Sequence, residues 1–199
     1  MLRVQNLVRR AVGSLFREEG SALLEFAITL PLLVVLIVGI YDFSGAFNQK
    51  QKIEHAAQEG AIVAGAQPMS DIASTNADPE SLRPVVMAIF NSLARSGALP
   101  NAGALCTPPP TPTPTPPTPP SLAWKYTISG CPDDLVITID RGGVIPTTGL
   151  PTVALGTNVQ VSYPYHWRFG SAIQLMFPGP NGYGTPVNLT EQATVHNQN

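Results

Sequence analysis

The stretch Gly20-Ser-Ala-Leu-Leu-Glu25-Phe26-Ala-Ile-Thr-Leu-Pro31-Leu-Leu-Val-Val-Leu-Ile-Val-Gly39-Ile-Tyr41 carries a single charged side chain, Glu25. Wound as one helix, Ser21 to Tyr41 covers about 31 Å at ~1.5 Å per residue, which matches the hydrocarbon core of a bilayer. On its N-terminal side, Arg3, Arg9, Arg10 and Arg17 outnumber Glu18 and Glu19 by two, so the rest of this chain of net charge -2 carries -4. Basic residues flanking a span stay in the cytoplasm, which sends everything after Tyr41 across the membrane. A cleaved secretory signal would show an apolar core of roughly 7 to 15 residues with a small-x-small site close behind it. The obvious small-x-small triplet, Ala64-Gly65-Ala66, lies more than twenty residues beyond Tyr41. The apolar helix is therefore expected to stay as an anchor.

Two residues inside the span need separate reasons. Pro31 removes the hydrogen bond its N–H would have made to the Ala27 carbonyl; it either bends the helix for subunit packing or is an ordinary membrane proline with its freed carbonyl satisfied nearby. Glu25 lies about 6 Å along the axis from Ser21, near the cytoplasmic interface. A carboxylate there is costly unless it snorkels to water or meets a cation.

Beyond Asp42 the chain turns amphipathic. Phe43, Phe47, Ile53, Ala57, Ala61 and Ala64 fall near helical spacing, with Lys50, Lys52, Glu54 and Glu59 between them. One helix is expected from Ser21 to Ala66, stopped by Gly65 and Pro68. The small residues Ala56, Ala57, Gly60, Ala61 and Ala64 make a smooth strip for close approach, either of a partner helix or of the chain's own domain. A second helix is punctuated by Asp78 as N-cap, Pro79 at the first helical position and Glu80 at the positive end of the dipole. Leu82, Val85, Val86, Ile89, Phe90 and Leu93 form its apolar stripe, Gly97 closes it, and Pro84 is tolerable in the first turn or two.

Residues 107–120 are threonine and proline in low complexity, read as an extended polyproline spacer unable to join a sheet. Strand periodicity follows. Trp124 to Ile128 and Leu135 to Ile139 are expected to pair as a hairpin about the turn Gly130 to Asp134. Asn158 to Tyr163 and Asn188 to His196 supply further strands, and Trp167 to Tyr183 reads as a packed loop. The sum is an α+β chain: a long transmembrane and amphipathic helix, a second helix, then a small antiparallel sheet.

Only 12% of residues are charged, which leaves no basic surface for nucleic acid. Cys106 and Cys131 both fall on the translocated side, where an even pair reads as one disulfide. His55, His166 and His196 are scattered and form no ligand-spaced pair. Asp133, Asp134 and Asp140 would hold a cation only if brought together; adjacent aspartates are more often a turn. No nucleophile elbow, phosphate loop or metal signature is present, so neither an enzyme nor a cofactor is expected.

Gly20-Ser21 followed by Glu25-Phe26, the apolar run with Pro31, its close at Gly39-Ile-Tyr41-Asp42-Phe43, and His55-Ala-Ala-Gln-Glu-Gly-Ala61 together resemble the TadE-like family. These are minor pilins, or pseudopilins, of tight-adherence (Flp) pilus systems. Weaker echoes lie in Val159 to Tyr165 and Ala193 to His196. The resemblance implies a bacterial inner-membrane protein with a cytoplasmic leader, residues 1–20, that a prepilin peptidase removes after Gly20. It implies a transmembrane helix over 21–41 and an extracytoplasmic domain over 42–199. It further implies methylation of the new N-terminus, pairing of Glu25 with a neighbouring subunit's α-amine, and partnership with other pilins, assembly proteins and membrane lipid. The competing expectation is a permanently anchored protein whose outer domain binds a ligand or surface through Trp167, Phe169, Phe177 and Tyr183. An extracytoplasmic hydrolase has no residue constellation behind it.

Overall fold

The computed structural model describes residues 19–73, 75–99, 106, 114–115, 121–146, 153–170 and 185–198. The basic leader through Glu18, most of the threonine-proline repeat, and Phe177 and Tyr183 of the expected packed loop lie outside the described residues.

One helix, α1, runs unbroken over Glu19–Ala66 and passes through Pro31. Its 48 residues are about 72 Å long at ~1.5 Å per residue. Its two halves meet different surroundings. The most apolar part has a mean hydropathy of 2.6 with none of its residues buried, and Leu23, Phe26, Ile28, Leu32, Leu36 and Ile40 all stand exposed around its circumference. A helix apolar on every side belongs in lipid or a core. From Ile53 onward a stripe of small side chains is buried: Ala56, Ala57, Ala61 and Ala64 are fully or nearly so. The chain's own domain occupies this strip, since α1 packs on the second helix and on the last two strands. A Cβ on Gly60 would sit 2.4 Å from Ile89 Cγ1 and 3.4 Å from Val159 Cγ1, so only glycine permits this approach.

Phe43 and Phe47 were expected on this buried stripe and are instead exposed. Helical phase explains it. Counting back from Ile53 by turns, the domain-facing positions are Gln49, Ala46 and Asp42, one residue away from each phenylalanine.

The second helix departs from its expected start. A 3-10 turn over Glu80–Leu82 precedes α2, Arg83–Arg95, with Pro84 in its first turn. Asp78 makes no cap; its Oδ2 is 2.7 Å from Arg83 Nη2. The carboxylate that accepts an N–H of this turn is Asp71, whose Oδ2 takes the Ser81 N–H at 2.8 Å. A guanidinium five residues along outcompetes backbone donors for Asp78, because a charge-assisted pair is the stronger bond. The C-terminus follows expectation. Gly97 has φ 66°, its N–H reaches Ala94 O, and Ala98 N–H reaches Leu93 O, the paired bonds of a Schellman stop. Val85, Val86, Ile89, Phe90 and Leu93 are the buried face of α2.

Among the described residues, five antiparallel strands follow in chain order: β1 Pro114–Thr115, β2 Ala123–Cys131, β3 Asp133–Pro146, β4 Val153–Tyr165 and β5 Val187–His196. The expected hairpin is present, with Trp124 opposite Ile139 and Ile128 opposite Leu135. β1 corrects the expectation that the repeat cannot join a sheet, for Pro114 pairs with Tyr126 and Thr115 with Lys125. An edge strand faces solvent with half its backbone groups, so a proline there need not break the ladder. Cys106 is bonded to Cys131 at the end of β2. Trp124, Tyr126, Ile128, Leu135, Ile137, Ile139, Val159 and Val161 point to one face and bury it against the helices.

β3 runs on past Ile139, and its inward phase of Leu135, Ile137 and Ile139 next presents Arg141, which is fully buried. Its guanidinium reaches the C-terminus of α1, donating to the carbonyl oxygens of Ala64, Gln67 (2.9 Å) and Pro68 (3.4 Å). A cation there satisfies carbonyls that have no partner within the helix and meets the negative end of its dipole. Burial pulls the Arg141 pKa down while Asp71 opposes the shift. Arg141→Met keeps the apolar stem and deletes these bonds; we expect a loss on the order of 1.5 to 3 kcal/mol in denaturant unfolding of the full chain. A loss under about half a kcal/mol, the range of an ordinary surface substitution, would show that the carbonyls need no cap.

Candidate membrane-exit junction

Asp42 is the first residue after the apolar run and is completely buried. The stripe that carries Ile53 and Ala46 places it against the C-terminal end of β4. There its Oδ1 accepts the N–H of Arg168 and its Oδ2 the N–H of Phe169, each at 3.2 Å. The Tyr165 hydroxyl donates to the Asp42 carbonyl oxygen at 3.2 Å. A buried carboxylate is tolerated when backbone donors converge on it, and here two do. Gly45 makes room for the phenol, since a Cβ would meet the Tyr165 hydroxyl at 2.5 Å.

Aromatic rings surround this core. Tyr41 meets Phe169 edge to face with centroids 5.7 Å apart, Phe43 meets Trp167 at 5.6 Å, and Trp167 meets Tyr165 at 5.5 Å. The Arg168 guanidinium lies over the Tyr41 ring at 5.8 Å and its Nη1 is 3.2 Å from the Tyr41 hydroxyl. Each residue from Tyr41 to Phe43 thus has a partner between Tyr165 and Phe169. Burial pushes the Tyr165 phenol pKa up, and the negative Asp42 adds to the shift.

The residues expected to carry chemistry lie elsewhere. Gly20 and Ser21 are in the first turn of α1, and Phe26 is exposed. The Glu25 carbonyl accepts the Thr29 hydroxyl at 2.7 Å. Glu25 and the Cys106–Cys131 bridge are not brought together. Nor are the aspartates: Asp133 pairs with His166 at 2.8 Å, while Asp140, at the other end of the first hairpin, accepts the Gly142 N–H. The described residues hold no group of three His, Cys, Asp or Glu side chains placed for a metal. A polar cleft by the start of α2 is lined by Asp71, Asn76, Asp78 and Ser81, but Arg83 already holds Asp78.

Residues 20–61 match the TadE-like protein family. Over these residues the chain is TadE-like. The matched segment begins at Gly20, contains the apolar run and Asp42, and ends on the buried strip at Ala61, so it covers the exposed apolar half of α1 and the first part of its packing on the domain. The match implies a role in biogenesis of a tight-adherence pilus. No curated protein and no solved structure matches the chain.

Two variants rank the junction's bonds. Asp42→Asn turns a donor toward one of two backbone N–H groups and is expected to cost on the order of 1.5 to 3 kcal/mol, against about 1 kcal/mol for Tyr165→Phe. Denaturant unfolding of both in detergent checks the order, and equal costs would mean that the carboxylate is not the anchor of the junction. A pH scan follows from the phenols. Burial raises the pKa of Tyr126, Tyr163 and Tyr165, so the folded state keeps protons that the unfolded chain releases above about pH 10. Stability should therefore be full below that pH and fall as it is exceeded, less steeply in Tyr165→Phe. A thermal midpoint independent of pH through this window would contradict the burial of these hydroxyls.

Proposed function

We propose that the chain is a structural minor pilin of a tight-adherence pilus, anchored by Ser21 to Tyr41 in the bacterial inner membrane with the domain outside the cytoplasm. A prepilin peptidase removes the leader after Gly20, and the exposed apolar half of α1 then passes from lipid to neighbouring subunits. The observation behind this reading is the TadE-like match, which starts at Gly20 and follows the bare half of α1 into its packed half. A helix exposed on all sides and apolar on all sides suits a segment that exchanges lipid for protein partners. In the assembled state Glu25 meets the α-amine of a neighbouring subunit, which removes the cost of leaving either charge alone in an apolar setting.

Two measurements on the same piliated cells test it. Intact mass should give Ser21 as the N-terminus. Glu25→Gln should insert and be cleaved normally yet be missing from sheared surface fibres, because losing one partner of a buried pair costs on the order of 3 to 5 kcal/mol. An intact Met1 chain, or normal incorporation of Glu25→Gln, would contradict the proposal. The first result would favour the permanently anchored alternative.

A further inference from the structure

Large exposed apolar side chains of the domain are unevenly placed. Ile62, Met87 and Leu155 are scattered singly, as on most protein surfaces. The others gather at one end: Phe43 is 50% exposed, Phe47 62%, Phe169 38% and Val187 40%. With Ala46, Trp167 and Leu189, three of them line an apolar groove of about 300 Å³. Lys50 closes its upper rim and is paired with Glu191 at 3.3 Å. Val187 is the first residue of β5 and lies opposite Tyr165, so both strands bring their ends here.

We propose that this end of the domain is a lipid-binding face that rests in the headgroup layer of the outer leaflet, with phospholipid filling the groove. The inference rests on reading Ser21 to Tyr41 as the membrane span. Three observations point to lipid. The groove is continuous with the bare face of α1, because Phe43 and Phe47 follow Tyr41 by only about 3 and 9 Å along the axis. The headgroup layer on each side of the hydrocarbon is about 5 to 8 Å thick, so the groove opens within it or at its outer limit. The chemistry is that of an interface: exposed Tyr41 presents a ring with a polar tip, as residues at the edge of hydrocarbon do, and the Trp167 ring forms part of the groove wall. Exposed Arg168 lies over Tyr41 at the level where phosphates sit. The nearby carboxylates Asp42, Asp133 and Glu191 are each already engaged by a protein donor or cation. The face would hold the domain close against the bilayer, so that the domain does not sway on a long stalk.

The two tryptophans provide the test. Trp124 is fully buried beside Ile139 and donates to Asn76 O, at the end of the domain that packs on the C-terminus of α1, far from Tyr41. Trp167 lines the groove. The full chain is reconstituted at high lipid excess in vesicles of phosphatidylethanolamine with a minority of phosphatidylglycerol, brominated just below the carbonyls. The expected result is loss of the Trp167 part of the emission, with the Trp124 part unquenched. Trp167→Phe should abolish the quenching, and Phe43→Ser with Phe47→Ser should weaken it. Co-flotation with the vesicles without quenching would overturn the lipid face and leave the membrane span standing. Failure to float would overturn both. Quenching that disappears as protein per lipid rises would show a second copy in the groove, and the proposal would fall in that form too.

Discussion

Asp42 is where one continuous helix changes its surroundings. Below it, α1 is apolar on every side; above it, one stripe of the same helix lies in a protein core. A carboxylate at the boundary would be expensive in either medium. It is kept because the backbone after β4 turns two N–H groups onto it, and because Tyr165 takes up the carbonyl behind it. Those bonds join the end of the sheet to the end of the apolar run. At the opposite end of the packed half, Arg141 does the reverse job, bringing positive charge to the Ala64 carbonyl in the last turn of α1 and to those of Gln67 and Pro68 just past it. The helix is fixed to its domain at both ends of the contact by a buried charge whose sign suits the backbone groups it meets, N–H groups for Asp42 and carbonyls for Arg141, and by close approach at Gly60 in between.

This arrangement bears on how the chain could move if it acts as the proposed pilin. A span joined to its domain by a loose linker would let the two halves reorient. Here helical continuity and the Asp42 bonds make the direction of the apolar half a property of the domain. On the proposed function, withdrawal of the apolar half from lipid would carry the domain along with it.

Much of this was legible in the sequence because it rests on periodicity. The alternation of β2 to β5, the apolar stripe of α2 and the Gly97 stop all follow from side-chain spacing alone. The expected cap at Asp78 failed through competition among polar groups. Asp78 has the right spacing for a cap but meets a guanidinium, while Asp71, ten residues before Ser81, supplies the bond. Arg141 escaped notice because the expected strand stopped at Ile139, although the period-two phase already pointed residue 141 inward. Asp42 was readable in the same way: carrying the phase of Ile53 back three turns lands on it. The phenylalanines at 43 and 47 drew the stripe one residue off, because apolarity was taken for burial although both rings stand exposed on the wall of a groove.

The central claim is that the Asp42 carboxylate locks the helix to the domain, and amide hydrogen exchange of the full chain in bilayers tests it most directly. The N–H groups of Arg168 and Phe169 follow the last strand residue, Tyr165, and would exchange quickly if they were ordinary loop amides. The account predicts that they exchange as slowly as the paired amides of β4, and that Asp42→Ala releases these two while β4 stays protected. Fast exchange at Arg168 and Phe169 in the unmodified chain, with β4 protected, would contradict it.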